Sequence, residues 1–197
     1  MDDLKAVLTQ YLDEQHAALL WKVDGLGEYD LRRPLTPTGT NLLGLVKHVA
    51  AVEAEYFGLV FGRPFPDAPA WLLDEEPADN VDMWVTAEES TASILDLFAR
   101  VREHGAETIA ALDLDATGVV PWWGNGGVEV TLGRIVVHML AEVARHAGHA
   151  DIVRESIDAA AGLSDGNDNL PSQDAAWWRE YYDRVQSAAR EAARRTD

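Results

Sequence analysis

The sequence predicts an all-α fold: an antiparallel four-helix bundle. A long crossover joins its second and third helices, a short irregular or hairpin insert precedes the fourth, and an extra helix ends the chain. Three observations lead there. Four segments carry apolar residues at helical spacing. The connections between them are unequal in length and rich in glycine and proline. No internal repeat or long linker divides the 197 residues. A single domain spanning 1–197 follows, with enough chain to bury a proper core.

The first helix covers 3–24, where Leu4, Val7, Leu8, Tyr11, Leu12, Leu19 and Val23 recur with helical period. The run GLGEYDLRRPLTPTG then breaks it. Thr40 or Asn41 caps the second helix, which runs to about Phe61 and buries Leu42, Leu45, Val49, Val52 and Tyr56. Four prolines prevent a long helix across 62–82, although Phe65, Trp71, Leu72 and Leu73 give that loop an apolar side that should pack on something. Thr86 followed by Glu89 reads as a capping box, opening a third helix to about Leu112. In 113–130 a Gly-Asn-Gly-Gly run between short Val and Trp segments marks a turn or hairpin. Thr131 caps the fourth helix, and Ser172 caps a last one bearing Trp177, Trp178, Tyr181, Tyr182 and Val185.

Thirty-four acidic residues against 16 basic ones give a net charge of −18. Such a surface repels phosphates and anionic lipid, which argues against nucleic-acid or membrane partners. No apolar run reaches the ~18 residues of a membrane span, and the acidic amphipathic start lacks secretory-signal character, so a cytoplasmic protein is expected. There is no cysteine, which removes disulfides, thiolate metal sites and a cysteine nucleophile; sulfur chemistry would need an incoming thiol.

The chemistry concentrates in 132–155, LGRIVVHMLAEVARHAGHADIVRE. At the helical repeat His138, Glu142, His146 and His149 project within about 80° of one another. Leu132, Ile135, Val136, Met139, Leu140, Val143, Ile152 and Val153 supply the apolar surround. A row of ligand-type side chains in an apolar face is costly unless paired or coordinated. His48, flanked by Leu45, Val49 and Val52, faces the core from the second helix. With Glu142 and His146 it would make a His₂–carboxylate set that leaves a coordination position open. The plainer readings are an ordinary i, i+4 surface pair, and a buried hydrogen-bonded network fixing bundle register. His16 and His104 fall on polar-looking faces and are read as solvated.

LVKHVAAVEAEYF, VPWWGNGGVEVTL and HMLAEVARHAGHADIVRE together resemble the DinB superfamily, nearest to its uncharacterised DinB-like branch. The resemblance spans about Leu4 to Asp158. It implies a DinB-like metal-binding bundle, often dimeric, with a divalent metal held between the second and fourth helices. The family triad falls on His48, Glu142 and His146. The mycothiol-dependent maleylpyruvate isomerases are similar in having a glutamate where many members have histidine. The usual His-Arg-Gly-Gln ending departs here to His146, Ala147, Gly148 and His149, which places any role of the missing arginine in question.

An oxygen and two imidazoles suit zinc first, and nickel, iron or manganese also. Relatives use mycothiol, bacillithiol or glutathione, which implies a low-molecular-weight-thiol S-transferase or isomerase acting on a small electrophile. His149 or His138 would orient a ligand or shuttle a proton. Trp71, Trp122 and Trp123 would line the cleft for the thiol cosubstrate. Exposed aromatics on the last helix suggest a homodimer. The alternatives are a non-catalytic metal-sequestering stress protein and a metal-dependent hydrolase.

Overall fold

A computed structural model describes residues 3–74 and 76–195. Its four long helices are α1 (Leu4–Trp21), α3 (Leu42–Glu53), α4 (Thr91–Ala111) and α5 (Leu132–Asp158). A short α2 (Glu28–Arg32) interrupts the first connection, and α6 (Ala175–Arg194) closes the chain. Strands β1 (Thr117–Val120) and β2 (Val128–Thr131) pair antiparallel ahead of α5, with Thr117 opposite Thr131 and Val120 opposite Val128. The insert is therefore a hairpin, as the Gly-Asn-Gly-Gly run suggests.

Side-chain caps fix where most helices begin. Asn41 accepts from the Gly44 amide at 2.7 Å, Ser90 from Ser93 at 3.0 Å and Thr131 from Arg134 at 3.3 Å. Two starts differ from expectation. The Thr86 amide does donate to Glu89 at 2.8 Å, but this closes a turn ahead of α4, which begins only after Ser90. Glu89 is also claimed by the Lys47 ammonium at 2.9 Å, which ties it to α3 rather than to a helix of its own. Likewise Asp174, not Ser172, caps α6; the Ser172 hydroxyl accepts from the Asp174 amide one step earlier. The second predicted helix is regular only to Glu53. A π-turn at Ala54–Gly58 and a 3₁₀ turn at Leu59–Phe61 complete it.

Long-range contacts give the helix directions. Lys5 reaches the Leu112 carbonyl and Asp13 pairs with Arg102, so α1 and α4 run oppositely. His48 meets Glu142 while Tyr56 meets His138, so α3 and α5 also run oppositely. Lys47 bonds Glu89 at the head of α4, whereas Gly105 lies on Phe57, further along in both segments; α3 and α4 are parallel. The order is up, down, down, up. Only a long crossover can join two parallel neighbours, which accounts for the proline-rich 62–90 segment. Leu19, Leu42, Val46, Val49, Phe98, Ile135, Met139 and Val143 are fully buried between the four helices. Ile152, expected among them, is 71% exposed, because it faces away from the bundle while Ala150 and Val153 on the same helix are buried.

The crossover is seated on one face of α3. The Asn41 amide nitrogen donates to the Met83 carbonyl at 3.1 Å, and buried Lys47 donates to the Trp84 carbonyl at 3.1 Å. Between them, a Cβ on Gly44 would stand 2.0 Å from the Met83 oxygen, so only glycine lets the loop backbone lie this close. Asn41, Gly44, Lys47 and His48 share this face by helical spacing.

The two histidines expected in solvent are not there. His16 is buried, with Nε2 at 2.5 Å from buried Glu53 on α3. His104 is half-buried and donates to the Arg63 carbonyl at 2.7 Å. His16 finds its partner on α3 and His104 finds its own in the crossover segment, each partner remote in sequence.

Candidate metal centre

His48 sits two turns into α3, and Glu142 and His146 lie one turn apart on α5. Because α3 and α5 are antiparallel neighbours, the three side chains meet across their groove. Glu142 Oε1 lies 3.0 Å from His146 Nε2 and 3.5 Å from His48 Nε2. The imidazole centroids are 4.7 Å apart. All three ligand atoms fall within 4.8 Å of one another, and this is the one such His/Asp/Glu group among the described residues. Donors about 2.0–2.1 Å from a tetrahedral ion stand about 3.3–3.4 Å apart. The two Glu142 distances bracket that edge and the two imidazole donors lie within 4.8 Å of each other, so the donor set suits a zinc-sized cation with the imidazoles drawn together. His48 and Glu142 side chains keep 17% and 29% exposure, which leaves one flank reachable from solvent.

The electrostatics are asymmetric. Burial works against a charged His48, but the Asp82 carboxylate at 2.6 Å from Nδ1 and, more weakly, Glu142 outweigh it and raise its pKa. His146 goes the other way: burial and the neighbouring His48 lower its pKa despite the Glu142 bond. Burial opposes ionisation of Glu142, yet the two imidazoles hold its pKa below the usual value. Asp82 is lowered chiefly by its bond to His48. Glu55, nearby, is raised by burial and by the Asp82 charge. The other ring nitrogen of His146, Nδ1, is buried without a partner among the described residues.

The remaining residues singled out by sequence surround this centre unequally. His149 stands half-buried beside His146, ring centroids 5.3 Å apart. His138, one turn before Glu142, is packed between Tyr56 at 4.8 Å and Trp123 at 5.0 Å. Trp122 and Trp123, at the hairpin tip, both donate to the Tyr56 hydroxyl, at 3.3 and 3.0 Å. Together they wall the hairpin end of the α3–α5 groove. Trp71 lies apart from that wall. It lines, with Glu55, Asp79 and Asp82, a cavity of about 330 Å³ between α3 and the crossover.

Sequence reasoning missed Asp82 and the part played by Tyr56. Tyr56 had a visible signal, since it follows His48 by eight residues and so returns to a neighbouring helical position. Its ring is placed by the π-turn, a local distortion frequent at functional sites. Asp82 had none: it is one of several acids in a proline-rich loop, and only the crossover's seat on α3 brings it to His48.

Among the described residues no helix is long and apolar enough to cross a membrane. A search of curated proteins finds no match. A profile of the Mycothiol-S-transferase family matches residues 7–159, which takes in the four bundle helices and all three candidate ligands. The chain therefore belongs to the mycothiol-S-transferase family of the DinB superfamily.

Proposed function

We propose that this protein is a metal-dependent S-transferase that joins a low-molecular-weight thiol of the mycothiol type to a small electrophile. The observation that carries the reading is the convergence of His48, Glu142 and His146 from two antiparallel helices with one flank accessible. These three would hold a divalent cation, zinc being best suited. A divalent cation supplies a lowered pKa to a coordinated thiol, making thiolate available near neutral pH.

The protein's own residues do the rest. Sulfur bonds to the electrophilic carbon as the leaving group departs with its electron pair, or as the π bond at that carbon breaks and its electrons move to the far atom. The thiol proton needs an acceptor, and His149, adjacent to His146, is the group proposed for it. His138 is held by aromatic rings and serves to shape the groove. Trp122 and Trp123 offer indole faces for an apolar part of either substrate. Trp71 would take part through the neighbouring cavity. The cysteine-free chain has no thiol of its own to compete for the cation.

Protein purified without a nickel column should contain close to one zinc per chain by elemental analysis. It should conjugate mycothiol to a model electrophile, and chelation or His48→Ala should abolish turnover. Fully loaded protein that turns over no thiol would reject the reading. The contacts in which Glu142 would accept from both histidines also suit a metal-free network that sets helix register. A melting temperature unchanged by added zinc would favour that. We further propose a homodimer through α6, where Tyr182 and Val185 are 67% and 54% exposed. Sedimentation equilibrium on the full chain tests it.

A further inference from the structure

We infer that Asp82 is a positioning residue for the candidate centre, acting through His48. It fixes the tautomer and the ring plane of that imidazole so that the Nε2 lone pair faces Glu142 and His146. The inference rests on the metal-site reading above and goes beyond it, because it makes the crossover loop a working part of the site.

The geometry is directional. His48 has two ring nitrogens, and the structure gives each a different neighbour. Nδ1 donates to Asp82 Oδ2 at 2.6 Å, and Nε2 points at Glu142 Oε1 at 3.5 Å. A proton held at Nδ1 leaves Nε2 as the lone-pair nitrogen of the neutral ring. A histidine that binds a metal through one nitrogen usually donates its other N–H to a carboxylate or carbonyl, which orients the ring and strengthens it as a donor. His146 offers an internal contrast. Its Nδ1 is buried with no partner among the described residues, so nothing polar orients that ring from behind. Of the two imidazoles, His48 is thus the one with a carboxylate behind it among the described residues.

The loop that carries Asp82 is fastened independently of the site. Met83 is gripped by Asn41, Trp84 by Lys47, and Glu89 by the same lysine. These contacts hold residues 82–89 against α3 at the turns flanking His48. Asp82 therefore reaches its nitrogen from a seat that does not depend on the His48 bond, which is what separates positioning from mere loop attachment.

The test uses the full-length protein and the variants Asp82→Ala and Asp82→Asn. In metal-free protein at a pH where His48 is neutral, ¹H–¹⁵N spectra of labelled histidine report which nitrogen carries the proton. Wild type should show His48 as the Nδ1–H tautomer, and Asp82→Ala should shift it towards Nε2–H. Zinc affinity by chelator competition should fall about 10- to 100-fold in Asp82→Ala. The cobalt-loaded protein should show a displaced visible absorption spectrum. Asp82→Asn, whose side-chain oxygen still accepts from Nδ1, should recover the tautomer and part of the affinity. Comparable melting temperatures for wild type and Asp82→Asn establish that the loop remains seated. An Asp82→Ala protein with the wild-type tautomer and affinity within twofold of wild type overturns the inference. So does an Asp82→Asn protein no better than Asp82→Ala, since charge rather than orientation would then be responsible. If wild type takes up no zinc, the metal-site reading fails while the tautomer spectra still decide the role of Asp82.

Discussion

His48 lies between two carboxylates, and that fixes how the site should respond to pH. Burial disfavours its charge, but Asp82 and Glu142 outweigh burial and hold its pKa above the ordinary histidine value of about 6.5. His146, lowered by burial and by His48, is neutral over the same range. In the metal-free protein the charged His48 stabilises the fold. That contribution is complete below the unfolded-state pKa and is lost as pH rises through the raised native value. A cation needs the unprotonated ring, so binding below the raised His48 pKa should expel a proton, chiefly from His48. Zinc affinity should therefore fall by up to about tenfold per pH unit below the native His48 pKa. Calorimetric titrations in buffers of differing ionisation heat measure the released proton directly. An affinity flat from about pH 6 to 8 would contradict this account of His48.

Two glycines separate an element's intrinsic helicity from what is packed against it. On α3 a methyl group at Gly44 would meet the Met83 carbonyl at 2.0 Å, and a backbone atom cannot swing aside. Gly44→Ala should lift the crossover, cost about 1–3 kcal/mol in urea unfolding, and weaken zinc binding by displacing Asp82. On α5 a methyl at Gly148 meets nothing within 4 Å. Gly148→Ala should stabilise by about 0.5–1 kcal/mol through helix propensity alone, leaving zinc binding unchanged. The same contrast explains which elements could be read from sequence. The helices, the hairpin and the Asn41 and Thr131 caps follow from short-range spacing, and so do His48, Glu142 and His146 as inward-facing groups. The start of α4 departs from the Thr86 capping pattern because Glu89 answers to Lys47, 42 residues away. His16 did carry a signal, since Leu12 and Leu19 flank it on the buried face, but its partner Glu53 lies 37 residues on. Asp82 was illegible for the same reason, being joined to His48 by a crossover whose seat is a property of the fold.

At the scale of the whole molecule, charge opposes the compact state. Thirty-four acidic residues face 16 basic ones, and several of those cations are held in specific pairs. Buried Lys22 bonds Asp151 at 2.7 Å and the Gly162 carbonyl, buried Lys47 bonds Glu89, and Arg154 bonds Asp158. These pairs anchor the chain that leaves α1, the crossover and the end of α5, so they resist salt better than exposed pairs do. Among the described residues most unpaired acids are at the surface and repel one another across distances that screening can reach. Raising salt from about 10 mM to about 150 mM shortens the Debye length from about 30 Å to about 8 Å. Screening should weaken the surface repulsion more than the buried attractions, so the folded state should gain. For a domain of this size a gain of about 1 kcal/mol corresponds to about 2–4 °C in melting temperature. Thermal unfolding in sodium chloride should therefore show a rising Tm across that range. The same rise should appear in metal-free protein, because it comes from the surplus of surface carboxylates and not from the centre between α3 and α5. A Tm that falls with salt would mean that the ion pairs fastening the loops, rather than the repulsion among exposed acids, dominate the electrostatic balance of the fold.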